Sequence, residues 1–151
     1  MGDITTIRIH KEIKGELDGF KIHEREPYED VLKRLMRKAR DTDELVERER
    51  ALASFVGRAK GKYGESVDKL ILYGSHARGE AGEESDVDVL VVWNGDPSEG
   101  RMGMAEIATD VLLEHDVIIS PKLVSAEGYE DMKRSEGPFI KNVLEEGVRL
   151  E

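Results

Sequence analysis

A glycine–serine pair and three aspartates in the second half of the chain have the types and spacing needed for phosphate chemistry. Gly74 and Ser75 end one apolar run, Asp86 and Asp88 begin the next, and Asp116 heads a third. Because Asp86 and Asp88 are two positions apart on a predicted strand, they project from the same face and can reach a shared pair of metal ions. Magnesium prefers such oxygen ligands and usually needs only one or two carboxylates, because substrate phosphates supply the rest. Asp116 is the natural third carboxylate, which could complete a metal's shell or take the proton of an acceptor.

The glycine–serine pair is suited to holding phosphate. Glycine lets the backbone approach a phosphate closely, and Ser75 can donate both its amide and its hydroxyl. A helix that begins near His76 would aim its free amides and its positive dipole end at the same anion. With the aspartates, the pair predicts a site for a nucleoside triphosphate and two Mg²⁺ ions.

The composition narrows the possible chemistry. The 151 residues include no cysteine, which excludes disulfides, thiolate zinc sites and cysteine nucleophiles. No apolar run approaches the roughly 20 residues of a membrane-spanning helix, so we expect a soluble, cytoplasmic protein. The net charge of -10 is uneven, because residues 1–40 carry ten Lys and Arg against eight Asp and Glu. The acidic remainder disfavours nonspecific nucleic-acid binding, whereas the first segment leaves it open.

The elements that must position these residues belong to the α/β class. Apolar runs predict three strands, over residues 67–73, 87–93 and 116–119, with a polar turn over residues 83–85. Helical spacing predicts a helix near residues 102–112 and a closing helical stretch over residues 129–146, broken at Gly137-Pro138. We expect this domain to span residues 41–151, with its catalytic core over residues 67–120.

The front of the chain predicts a separate small module over residues 1–40. Residues 4–10 alternate as a half-buried strand does, a helix follows to about Gly19, and a second opens near Pro27. The charged residues 41–50 predict a solvated helical link that continues to about Lys62. Because this module has too little apolar surface for a core of its own, we expect it to need a partner.

Residues 67–150 resemble the minimal nucleotidyltransferases of the polymerase-beta superfamily. The family motif is Gly-Ser, ten residues, Asp-x-Asp and a third Asp on a following strand, and each position is occupied here. The Ala77-Arg78-Gly79 run and the stretch from Phe139 to Gly147 are also similar. The resemblance implies a small mixed β-sheet flanked by helices, an α+β arrangement.

That resemblance also implies an activity, the transfer of a nucleotidyl group, usually AMP from ATP, to a hydroxyl. Ser75 would hold the triphosphate, and Asp86, Asp88 and Asp116 would hold magnesium. Arg78 would either assist a phosphate or pin the loop. Similarity to minimal nucleotidyltransferase antitoxins implies that the acceptor is a protein tyrosine on a partner helical toxin.

Residues 4–40 resemble the ribbon-helix-helix segments of antitoxins, in the runs Thr5-Thr6-Ile7-Arg8-Ile9 and Tyr28-Glu29-Asp30-Val31-Leu32. In that fold two chains pair their strands into one ribbon that enters a major groove of DNA. The resemblance implies a homodimer through residues 4–40, with Thr6, Arg8 and His10 facing the bases of operator DNA. Glu26, Glu29 and Asp30 count against DNA binding, which leaves a dimerisation arm as the alternative.

Two other functions fit the same residues. A nucleotidyltransferase could modify a small molecule or the end of an RNA, and the acidic bulk suits a cationic small acceptor better than RNA. Alternatively, the protein could be a DNA-binding transcriptional regulator whose nucleotidyltransferase half senses nucleotide without catalysis.

Overall fold

A computed structural model describes residues 3–82 and 85–150, and the chain divides into two compact units, Met1–Asp43 and Glu44–Glu151. Within the residues that the structure describes, no helix is both long and apolar enough to cross a bilayer. Glu83 and Glu84, which belong to the predicted polar turn, lie outside the described residues.

The first unit contains helix α1 (Lys11–Gly19) and the beginning of α2 (Tyr28–Tyr63), and both predicted helices are confirmed. Tyr28 Oη donates to Asp18 Oδ1 at 2.6 Å, and the Arg34 guanidinium pairs with the buried Glu26 carboxylate. Helix α2 continues through residues 41–50, which contain neither glycine nor proline, so the predicted helical link is confirmed.

Residues 3–10 form no strand, which corrects the strand predicted over residues 4–10. A strand exists only where a neighbouring strand supplies its hydrogen bonds, and in the predicted ribbon that neighbour is a second chain. Among residues 3–82 and 85–150 of one chain, no strand pairs with this segment. The ribbon-helix-helix arrangement therefore stays a prediction.

The second unit is built on a four-stranded mixed sheet in the order β3-β2-β1-β4. The strands are β1 (Val67–Tyr73), β2 (Val87–Trp93), β3 (Ile119–Ser125) and β4 (Val148–Arg149). β1 is antiparallel to β2 and β4, whereas β2 and β3 are parallel. The bounds predicted for β1 and β2 are confirmed.

The third strand begins where its prediction ended. Residues 116–118 are not in a strand, because Asp116 is the left-handed residue that ends helix α4 (Ser98–His115), with its N–H bonded to Leu112 O at 2.9 Å. The strand then continues through Pro121, which an edge strand tolerates because the missing N–H can face away from the ladder.

Helices cover both faces of the sheet. The side chains of β1 and β2 alternate between two apolar clusters, as the period of two requires. One cluster joins the sheet to α2 and α4 through residues such as Phe55, Leu70 and Met104. The other, around Leu90, Tyr129 and Ile140, joins it to α5 (Ala126–Ser135) and α6 (Pro138–Glu146). The predicted small mixed sheet flanked by helices is confirmed, as is the break at Gly137-Pro138.

The topology brings the predicted site to one end of the sheet. β1 ends where the antiparallel β2 begins, and β3 begins at the same end because it is parallel to β2. The short helix α3 (Ser75–Arg78) follows β1 at this end. The residues before β2 and β3 therefore face the turn that contains Gly74.

Candidate active site

The turn after β1 is shaped by Gly74. Its backbone lies at φ 79° and ψ -152°, a region that essentially only glycine occupies. A Cβ at this position would lie 2.8 Å from Asp88 Oδ2, so the absent side chain leaves room for that carboxylate. Ser75 follows as the first residue of α3 and is half-buried. The structure thus brings the glycine–serine turn directly against one of the predicted metal ligands.

Helix α3 begins at Ser75, next to its predicted start. Its first hydrogen bond runs from the Arg78 N–H to Gly74 O at 3.3 Å. The amides that precede this bond have no acceptor within the helix, because the first turn of any helix leaves them without one. They are the donors expected to face a phosphate.

Asp88 lies opposite Tyr73 in the β1–β2 ladder and is partly buried. Burial raises the pKa of the Asp88 carboxyl above its ordinary value, and the negative charge of Asp86 raises it further, against a smaller opposing effect of His76. Burial and the charge of Asp88 also raise the pKa of the Tyr73 phenol. This end of the sheet therefore concentrates negative charge that a bound cation would stabilise.

Asp86 and Asp116 are both exposed and line one cavity of about 450 Å³. Arg48 of α2, Leu112 and Ile118 are among its other lining residues. The structure therefore brings two of the predicted aspartates to a common space. Sequence reasoning missed Arg48, because nothing in the charged run of residues 41–50 distinguishes it from its neighbours.

Hydrogen bonds hold the loop that leads to Asp86. His76 Nε2 lies 2.9 Å from Ser85 O, and the Gly82 N–H donates to Ser85 Oγ, also at 2.9 Å. Arg48 Nη2 donates to Gly82 O at 3.1 Å, which ties the loop to α2. His76 therefore has a positioning contact that the sequence did not indicate.

A second contact from α2 holds the turn that contains Asp116. His115 Nδ1 lies 2.6 Å from Glu47 Oε1, and this hydrogen bond lowers the pKa of the Glu47 carboxyl. Glu47 and Arg48 are neighbours on α2, so adjacent residues of one helix hold the two segments from which Asp86 and Asp116 project.

Residues 52–150 match the family described as "Nucleotidyltransferase domain". The chain belongs to this family. A Methanocaldococcus jannaschii protein described as a "Putative protein adenylyltransferase" is 38% identical over 99 residues, which cover 66% of this chain and 93% of the relative. The protein is therefore a nucleotidyltransferase, as the resemblance carried by the glycine–serine and aspartate motif implied.

Two solved structures are similar to the nucleotidyltransferase at lower identity. One, a "putative nucleotidyltransferase" from Sulfolobus solfataricus, has a TM-score of 0.46 at 13% identity and covers 70% of this chain and 84% of its own. The other, described as a toxin-antitoxin with AMP-PNP, has a TM-score of 0.41 at 19% identity and covers 64% of this chain and 70% of its own.

Arg78 of the nucleotidyltransferase contacts carboxylates of its own chain. Its Nε lies 3.0 Å from Glu80 Oε2 and its Nη1 lies 3.3 Å from Glu146 Oε2. These contacts tie α3 to the end of α6. Of the two roles expected for Arg78, they favour pinning the loop over binding a phosphate.

The residues of this nucleotidyltransferase site fit magnesium as a pair of carboxylates with a third one nearby. Within residues 3–82 and 85–150, no group of three or more acidic or histidine side chains is close enough to hold a metal ion. Asp86 and Asp88 provide hard oxygen donors whose mutual repulsion a divalent cation would relieve. Asp116 shares a cavity with Asp86.

The residues predicted to contact DNA belong to the first unit of the nucleotidyltransferase chain. Thr6, Arg8 and His10 are exposed. Their role in DNA binding stays a prediction.

Proposed function

We propose that the protein is a magnesium-dependent adenylyltransferase that transfers AMP from ATP to a hydroxyl of another protein. The observation that carries this proposal is the contact between the Gly74 turn and Asp88, with Asp86 beside it at the same end of the sheet. A turn that can approach phosphate and a charged pair that needs a cation are the two requirements of a magnesium–triphosphate site.

Each residue has a role in this proposal. The Gly74 backbone and the Ser75 amide and hydroxyl bind the triphosphate, and Asp86 and Asp88 hold the magnesium. In two-metal sites the ions stabilise the attacking and leaving oxygens. Asp116, exposed in the cavity that it shares with Asp86, takes the proton of the acceptor.

The reaction is a substitution at the α-phosphorus of ATP. The acceptor oxygen forms a bond to that phosphorus, and the bond from the phosphorus to the oxygen of the β-phosphate breaks. Pyrophosphate leaves with the electron pair, and the hydroxyl proton passes to the Asp116 carboxylate. The products are an AMP ester of the acceptor and pyrophosphate.

A protein acceptor is favoured by the description of the 38% identical relative as a protein adenylyltransferase. We propose a tyrosine of a partner helical toxin, the acceptor that the sequence resemblance implies, which makes this chain the antitoxin.

The proposal is tested with ATP labelled at the α-phosphate, Mg²⁺ and a candidate toxin encoded next to this chain. We expect label on a tyrosine of the toxin, and its loss in Asp86→Asn and Asp88→Asn. Asp131→Asn is the matched control, since Asp131 lies on α5 in a surface ion pair with Arg134. Equal labelling by all these variants, or binding of ATP without any transfer, would refute the proposal.

For the first unit we propose a homodimer through residues 4–40. A cavity of about 760 Å³ within this unit is lined by apolar side chains that include Ile7, Ile9 and Ile13, and all three are exposed. Exposed apolar surface of this extent favours a partner. We expect Ile7→Lys to give a monomer in light scattering and Ile22→Lys, exposed but outside the cavity, to remain a dimer. A monomeric parent protein would contradict the dimer.

Operator DNA is the second candidate partner of this unit, because Thr6, Arg8 and His10 alternate along an exposed segment. Anisotropy with DNA from upstream of the coding sequence tests this candidate. Binding that Arg8→Ala abolishes and that survives loss of all three aspartates supports a regulator. Binding that Arg8→Ala leaves unchanged contradicts it.

A further inference from the structure

A groove of about 670 Å³ lies between α4 and the edge strand β3. Its helical side is the stripe Arg101, Ala105, Ala108, Thr109 and Leu112, whose spacing places them on one face of α4. Its other side is residues 118–123, which include β3, the edge strand of the sheet that the described residues form. Small side chains of α4, Ala105 and Ala108, therefore line one wall of the groove, and the edge strand β3 forms the opposite wall.

This groove continues into the candidate active site. Leu112 and Ile118 line both the groove and the cavity that contains Asp86 and Asp116. A chain segment lying in the groove would thus reach the aspartates with one end.

The charge of the groove is opposite to that of the chain. No carboxylate lines the groove, although the chain carries a net charge of -10. Lys122 belongs to its strand side, but Lys122 Nζ lies 4.3 Å from the centre of the Phe139 ring, which packs against the apolar cluster on the other face of the sheet. Arg101 is therefore the cation that can face an occupant, and it forms no ion pair with a carboxylate in the described part of the chain. An occupant with apolar side chains and carboxylates would complement this surface.

The strand order places the groove on the side from which an acceptor must approach. The Gly74–Ser75 turn follows β1, Asp86 and Asp88 belong to the start of β2, and the groove lies along β3. The aspartates therefore lie between the turn proposed to bind triphosphate and the groove. In-line displacement requires the attacking oxygen and the leaving pyrophosphate to be on opposite sides of the phosphorus.

We propose that the groove binds the segment of the acceptor protein that flanks its reactive hydroxyl, and that it selects a segment with apolar side chains and acidic neighbours. This inference rests on the proposed adenylyl transfer and adds the chemistry of its substrate. The small side chains of Ala105 and Ala108 admit a bulky apolar anchor close to the helix, and Arg101 pairs with an acidic residue beside it.

Three fluorescein-labelled peptides of equal length, each with one tyrosine among leucines, test the specificity. Their flanking residues are glutamate, lysine or serine, and binding is measured by anisotropy. We expect the glutamate peptide to bind most tightly and Arg101→Glu to weaken it about tenfold, as the loss of a charge-assisted contact does. Ala105→Trp, at an exposed position that should tolerate the larger side chain, should block all three peptides. Lys141→Glu on α6, the same charge change outside the groove, should leave their binding unchanged.

Equal binding of the three peptides, no binding of the glutamate peptide, or insensitivity to Arg101→Glu would overturn the inference. So would competition by magnesium–ATP, because the groove would then hold the adenine base. Magnesium–ATP binding, followed by calorimetry in the same variants, separates this inference from the proposed function. If the parent protein does not bind magnesium–ATP, both the proposed function and the groove inference fail. If it binds magnesium–ATP but does not distinguish the three peptides, only the groove inference fails.

Discussion

The two units of the chain differ in how far they bury their apolar side chains. In residues 44–151, apolar residues of the sheet and helices form two buried clusters, one on each face of the sheet. In the first unit, Ile4, Ile7 and Ile22 are 100%, 71% and 76% exposed, whereas Val31 is fully buried. One unit therefore has a core of its own, whereas the other leaves these isoleucines exposed, as the proposed homodimer requires. A catalytic site needs side chains held at fixed distances, and the unit with its own core can hold them so.

The difference between the two units should be largest when one apolar residue of each is truncated. Phe55→Ala should lower the free energy of unfolding by about 3–5 kcal/mol, because Phe55 is fully buried between α2 and the sheet. Ile7→Ala should change it by less than about 0.5 kcal/mol in dilute monomer. Urea denaturation measures both. Equal losses would show that the first unit has a self-sufficient core.

A smaller effect is expected from adding a methyl group at the turn of the candidate site. Gly74→Ala should cost about 1–3 kcal/mol of stability, because its backbone conformation suits only glycine and its Cβ would press on Asp88. Magnesium–ATP affinity should fall with it. Gly64→Ala is the matched control, also at positive φ (47°) but with no atom within 4 Å of the added Cβ. An unchanged ATP affinity in Gly74→Ala would show that the Gly74 turn does not bind the nucleotide.

The contact between α2 and the Asp116 turn should affect the reaction more than it affects binding. Glu47→Gln should lower kcat about tenfold with little change in the KM for ATP, because the His115–Glu47 hydrogen bond holds the segment that ends in Asp116. Glu106→Gln weakens another α2–α4 contact, with Lys62 at 3.2 Å, farther along the helices. Equal kinetics in the two variants would make the His115–Glu47 contact merely structural.

The smallest effect concerns the charge of Asp88. The folded protein raises the pKa of the Asp88 carboxyl, so folding favours the protonated form of this side chain. The stability gained from the protonated carboxyl is complete below the ordinary pKa of 3.8 and is lost as the pH rises through the raised pKa. Asp88→Asn should therefore have a higher Tm than the parent protein at neutral pH, and the difference should shrink below pH 3.8. Magnesium should also reduce the difference by stabilising the parent. A lower Tm of Asp88→Asn than of the parent protein at neutral pH would contradict a raised pKa of Asp88.

The elements that followed from the sequence are those with a strong local pattern. β1 and β2 are continuous apolar runs between polar turns, and their bounds are confirmed. β3 was placed too early, because Ser120, Pro121 and Lys122 interrupt its apolar pattern and an edge strand tolerates them. The two-residue β4 is too short to have a pattern.

For the site, the sequence supplied the types and spacing of Gly74, Ser75 and the aspartates but not the contacts that hold them. The hydrogen bond between Glu47 and His115 joins positions 68 residues apart, and the one between Arg48 and Gly82 joins positions 34 apart. No local pattern encodes such pairs. The sequence pattern of residues 4–10 predicted a strand that the structure does not show, for a different reason. A ribbon strand needs the hydrogen bonds of a second chain, which the pattern of one chain cannot supply.

The most direct test of the central claim is a crystal structure of the protein with Mg²⁺ and a non-hydrolysable ATP analogue. The account predicts the triphosphate against Gly74 and Ser75, magnesium between its oxygens and Asp86 and Asp88, and Asp116 on the side of the groove between α4 and β3. A nucleotide bound elsewhere on the chain, or a metal that touches neither Asp86 nor Asp88, would contradict it.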